Sequence, residues 1–114
     1  MDKYSVYVSD LAIGDMDDIA SYVSTQLNSP DAADNLVDAF IDAISSLADM
    51  PKRYPLVGDD LLASLGYRII PVKNYNVFYS VDESLPETRE VNIERVLYSK
   101  RNWKHIINPF SDFD

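Results

Sequence analysis

YRIIPVKNYNVFYSVD, residues 67–82, decides the fold of this 114-residue chain. Val, Ile, Tyr and Phe dominate it, side chains that suit a pleated and half-buried surface, and a tight break around Lys73 and Asn74 divides it. The stretch predicts two antiparallel strands over residues 67–72 and 75–81. A third strand is expected over residues 89–97, where VNIERVL repeats the same chemistry. Far upstream, Tyr4, Val6 and Val8 alternate with polar residues, which predicts a short first strand at a sheet edge.

Two helices are expected between that strand and the meander. Ser9 and Asp10 offer capping oxygens, after which Ala12, Met16, Ile19, Ala20, Val23 and Leu27 recur at spacings of three and four, predicting a helix over residues 10–27. Gly14 inside it costs about 1 kcal/mol relative to alanine. Asn28, Ser29 and Pro30 break the pattern and restart it, with a serine cap and a proline at the first helical position. Ala33, Leu36, Val37, Phe40, Ile41, Ile44, Leu47 and Ala48 then form an apolar stripe opposite Asp34, Asp38 and Asp42. This second helix is expected to reach Met50, because Pro51 disfavours helical geometry in the residue before it. So short a connection implies an antiparallel helical hairpin. Residues 51–64, with two prolines, Gly58 and Asp59-Asp60, read as a loop whose leucines need cover. The expected architecture is α+β: an N-terminal strand and a helical hairpin packed on a small, mainly antiparallel sheet. One domain over residues 1–107 and a tail over 108–114 account for the whole length.

Composition narrows the chemistry. Without cysteine and with His105 as its single histidine, the chain has no thiolate or histidine-rich metal site, and neither metal nor cofactor is expected. No apolar run approaches the ~20 residues of a membrane span and no signal-peptide core precedes the first strand, so a cytoplasmic location is expected. The net charge of −9 opposes strong binding to free nucleic acid. That charge is unevenly spread, since residues 1–50 hold ten acids and only Lys3, whereas residues 51–105 hold nine bases and seven acids. Arg95, Lys100, Arg101 and Lys104 fall within ten residues of one another beside Tyr98 and Trp103, a candidate working surface where the sheet ends.

The order of elements, with YRIIPVKNYNVFYSVD and IERVLYSKRNW, resembles the RelE/ParE superfamily of toxins from bacterial type II toxin–antitoxin systems. The likeness runs from the first strand to about Ile107. It is carried by the Tyr67-Arg68 pair, the aromatic segment at Val77, Phe78 and Tyr79, and the RVLYSKRNW ending at residues 95–103. The resemblance implies a small toxin neutralised by a cognate antitoxin. It also implies one of two activities: RelE-like members cut messenger RNA on the ribosome without a metal, and ParE-like members inhibit DNA gyrase without a nuclease centre.

Cleavage through the 2′-hydroxyl needs a proton acceptor, a proton donor and cations around the phosphate. In a RelE-like chain the resemblance would assign these catalytic roles to Arg68, Arg101 and Tyr98, with His105 the alternative proton carrier. Ile70 and Asn76 stand where that type carries further bases, and an asparagine does not neutralise a phosphate. Tyr98, with an ordinary pKa near 10, is a poor base at neutral pH and also suits packing at the end of a sheet. In a ParE-like chain, Arg95, Lys100, Arg101, Trp103 and Lys104 would bind a target or partner, as aromatic and arginine side chains concentrate binding energy. Arg95 shares a strand face with Ile93 and Leu97 and is expected to have an acidic partner, while Trp103 equally suits stapling the tail to the sheet. Lys52, Arg53 and the carboxylates Asp15, Asp17 and Asp18 read as solvated. The ParE-like reading is favoured by the incomplete cationic set and the acidity. A ribosome-dependent ribonuclease, or a member that retains only antitoxin binding, remain the alternatives.

Overall fold

Ser9 starts the first helix as its sequence suggests: its side-chain oxygen accepts the Ala12 amide, one of the donors a helix N-terminus leaves unpaired. The computed structural model describes residues 3–101. In chain order it contains β1 (Ser5–Val8), α1 (Asp10–Ser21) with a π-helical turn (Tyr22–Gln26), α2 (Pro30–Ser46), a 3₁₀ turn (Pro51–Arg53), α3 (Asp60–Ser64), β2 (Tyr67–Val72), β3 (Tyr75–Asp82) and β4 (Glu90–Tyr98). The strands form one sheet in the order β1-β4-β3-β2. β1 runs parallel to β4 with Ser5 opposite Glu90, and the two remaining pairings are antiparallel.

Three details depart from the sequence reading. α2 ends at Ser46, not near Met50. Its last turn tightens as Leu47, Ala48 and Asp49 donate to the carbonyls three residues back, and Met50 takes a left-handed conformation (φ 50°) that turns the chain before Pro51 can limit the helix. Ser29 precedes α2 without a side-chain capping bond; its carbonyl accepts the Ala33 amide and its own amide donates to the Val23 carbonyl. The presumed loop over residues 51–64 contains α3, which Asp59 caps through the Leu62 amide.

α3 explains how the loop's leucines are covered. One face of the sheet, formed by Ile70, Val72, Val77, Tyr79, Val91, Ile93 and Val96, packs under Leu36, Phe40, Ile44 and Leu47 of the helical hairpin. The opposite face buries Phe78 and Leu97 with Leu62 and Val57. Full burial of a side chain such as Phe40 or Phe78 contributes about 1.5–3 kcal/mol. The outer edge of β2 is closed at its start, where Val57 donates to the Tyr67 carbonyl and Leu56 bridges Arg68. Strand alternation puts Pro71 on that same outward side, where a residue without an N–H cannot template another strand.

Candidate functional site

The end of β4 is shaped by a bulge. Phe78 lies opposite Arg95 but Tyr79 lies opposite Ile93, so Glu94 is the inserted residue and the strand bends there. Glu94 is held from two sides: its carboxylate accepts from Ser80 Oγ at 2.9 Å and its carbonyl from Ser9 Oγ at 2.9 Å. Past this point β1 has ended and the β4 edge needs another partner. Asp15 of α1 supplies it, accepting the Val96 amide at 2.9 Å while gripping Arg95 through Nε at 2.8 Å and Nη2 at 2.9 Å. The hydrogen bonds that Arg95 donates to Asp15 raise its pKa further above its usual value, against the opposing effect of burial. Arg95 thus has the acidic partner its strand position calls for. Asp15, by contrast, is no solvated carboxylate: its side chain is only 13% exposed. The sequence signal for the pair was a cation within an apolar strand, but the expected shared face is not kept: the bulge at Glu94 sends Ile93 to the helix-covered face and leaves Arg95, opposite Phe78, on the face of Leu97.

Arg68 is also occupied. Its Nη1 donates to the Tyr54 carbonyl at 2.6 Å and more weakly to that of Lys52, tying the turn after α2 to the start of β2. Beside it Tyr79, wholly buried, donates its hydroxyl to the Pro51 carbonyl at 2.5 Å, and burial pushes the phenol up to about 12. Lys52 and Arg53 are engaged rather than simply solvated. Lys52 pairs with Glu83, and Arg53 donates to the Asp49 carbonyl at 2.6 Å past the end of α2 while stacking over Tyr54.

Tyr98 stands at the other end of the sheet. It is opposite Tyr75, whose ring it meets edge-on at 5.7 Å, and Tyr75 meets Phe40 in the same way. With Arg68 opposite Tyr79 and Tyr98 opposite Tyr75, the two positions are four residues apart along β3, a displacement of about 13 Å. Arg68 and Tyr98 therefore do not share a site. Arg101 does lie with Tyr98, its amide donating to the Tyr98 carbonyl at 3.0 Å in the turn that ends β4. Ser99 donates to the Asn74 carbonyl at 2.9 Å, which puts Lys100 and Lys73 at the same end of the sheet, next to the β2–β3 turn. Lys73, Lys100 and Arg101 are exposed and have no ion pair among the described residues, whereas Lys3, Lys52, Arg89 and Arg95 each have one. Lys73 was not singled out from the sequence; its signal was its position in the tight turn, where it takes φ 54°. Trp103, Lys104 and His105 lie outside the described residues.

The described residues thus form a helical hairpin on a four-stranded mixed sheet that ends in a cationic turn. Residues 6–103 match the family described as ParE toxin of type II toxin-antitoxin system, parDE, and the chain belongs to that family. Two solved structures share its fold. A chain of the chromosomal ParDE TA system from P. aeruginosa superposes with a TM-score of 0.69 at 16% identity, covering 88% of this chain and all (100%) of that one. A chain of the toxin-antitoxin complex RelBE2 from Mycobacterium tuberculosis gives 0.58 at 17% identity, covering 84% and 98% respectively. No curated protein matches the sequence.

Proposed function

We propose that this ParE-type toxin acts by binding and inhibiting a protein target, DNA gyrase, in the cytoplasm, and that a cognate antitoxin neutralises it. The observation that carries this reading is the separation of Arg68 from Tyr98 and Arg101. A nuclease centre must gather its cations and proton carriers around one phosphate. Here the first arginine is spent on loop carbonyls one end of the sheet away. The two strands between add nothing basic, as Ile70 is buried under the helices and Asn76 is neutral. A net charge of −9 further opposes docking among ribosomal RNA strands. The solved neighbours, a ParDE system and a RelBE2 complex, support an antitoxin partner.

The test is induced expression with and without the neighbouring small gene product, followed by gyrase supercoiling and ribosome-dependent cleavage assays on the purified protein. Growth arrest relieved by that product, with supercoiling inhibited and messenger RNA intact, is the expected result. Ribosome-dependent cleavage abolished by Arg101→Ala would overturn the gyrase reading.

A further inference from the structure

Resting on the reading above, we propose that the target contact is a bipartite surface at the hairpin end of the sheet. Tyr22 of the helical layer joins Tyr98, Lys73, Lys100 and Arg101 of the sheet layer to receive an acidic protein segment that offers one apolar side chain.

The juxtaposition follows from two rises. Asp15 fixes α1 against β4 at Arg95. Seven residues on, two helical turns and about 10 Å further, Tyr22 returns to the same helix face. Three residues along β4, also about 10 Å on, comes Tyr98. Tyr98 meets the Tyr75 ring edge-on at 5.7 Å, and the Tyr75 hydroxyl, pushed above its usual pKa first by burial, is also raised by Tyr98 and Tyr22. Tyr22 is 53% exposed and Tyr98 39%, two large rings left open to solvent. The helix is π-wound from Tyr22 onward, a distortion that recurs at functional sites.

Charge selects the occupant. Lys3, Lys52, Arg89 and Arg95 are paired, Arg53 and Arg68 are bonded to carbonyls, and the remaining described cations, Lys73, Lys100 and Arg101, are all at this end. In a chain of net charge −9 that is a local attraction, felt within a Debye length of roughly 8 Å at physiological salt. A nucleic acid carries charge along its whole length, and beyond the tip that charge is opposed by the net −9 of the chain. A protein segment with a few carboxylates meets only the tip, and an apolar side chain between the two exposed rings supplies the anchor such interfaces depend on.

The experiment compares wild type, Lys73→Glu/Lys100→Glu, Tyr22→Ala and the distant control Lys3→Glu. The readouts are growth arrest on induction, inhibition of purified gyrase supercoiling, and binding of a single-stranded RNA oligonucleotide. Unchanged thermal unfolding certifies the folds, and Lys73→Arg/Lys100→Arg and Tyr22→Phe serve as conservative rescues. Expected is a rise of at least about tenfold in the half-inhibitory concentration for both disruptive variants, none for the control, and recovery in the rescues. If wild type arrests growth without touching gyrase, the gyrase reading fails and growth arrest judges the surface: loss in the tip variants upholds it, and persistence overturns it. Equal potency of all variants overturns the surface while leaving gyrase as target. RNA binding lost in the same variants, with gyrase untouched, assigns the tip to nucleic acid and overturns the protein-segment proposal. A wild type without any toxicity overturns both.

Discussion

Removing the Asp15 carboxylate is the most informative perturbation of the fold, because one side chain closes the β4 edge, anchors α1 and neutralises Arg95. Asp15→Ala breaks three bonds of 2.8–2.9 Å. It strands a guanidinium that is 21% exposed and a Val96 amide on an unpaired edge. Leaving one member of a fully buried pair uncompensated costs about 3–5 kcal/mol, and the partial exposure of Arg95 lowers that to roughly 2–3. The orphaned amide adds about 1 kcal/mol. The expected loss is therefore about 3–4 kcal/mol, a large share of the 5–15 typical of a domain, and about 15 °C or more in Tm. Urea unfolding of wild type, Asp15→Ala, Asp15→Asn and the double variant Asp15→Ala/Arg95→Ala measures it. Asp15→Asn keeps an acceptor and is expected to lose about half as much, and the double variant less than the sum of its parts. A loss below about 1 kcal/mol for Asp15→Ala would refute the view that this pair holds α1 to the sheet.

Further outcomes follow from the same geometry. Tyr79→Phe leaves the Pro51 carbonyl without its donor and is expected to cost about 1–2 kcal/mol. Because burial raises the Tyr79 phenol to about 12, wild type loses stability as pH rises from about 10, where the unfolded chain ionises, towards 12, and Tyr79→Phe should lack that component in alkaline melts. Glu83, bonded by Lys52 and Tyr4, is held below the usual carboxylate range, so its contribution is present above the unfolded value and lost as pH falls through the folded one. Acid titration of Glu83→Gln should show a shallower decline below about pH 4.5 than wild type; identical curves would show that the Lys52 and Tyr4 contacts are not made in solution. Arg68→Ala is expected to lower stability by about 1 kcal/mol and to speed proteolysis near Tyr54.

Much of the fold was legible because its segments carry clean periods. The stripe of α2 and the aromatic alternation of β2 and β3 each dictate one element and one buried face, and Ser9 announces its helix. What the sequence hid was long-range. Nothing local states that β1 pairs in parallel with β4, or that the extra residue is Glu94. α3 spans only Asp60–Ser64 and is too short for a helical period to register. The end of α2 was misjudged because Pro51 seemed the stop, while the left-handed Met50 had already turned the chain. For the candidate site, the cluster around Tyr98, Lys100 and Arg101 was readable as a density of cations. The commitment of Arg68 to loop carbonyls was not, since it depends on a turn brought back from 14 or more residues earlier. Asp15 looked like its neighbours Asp17 and Asp18; only the packed α1 distinguishes the one that faces β4.

Everything functional turns on which end of the sheet works. The direct measurement is growth arrest on induction of Arg68→Ala beside Lys73→Glu/Lys100→Glu, with both proteins checked for fold and for capture by the proposed antitoxin. Arrest retained by Arg68→Ala and lost by the double variant is the predicted result; arrest lost by a folded Arg68→Ala and retained by the double variant would contradict it.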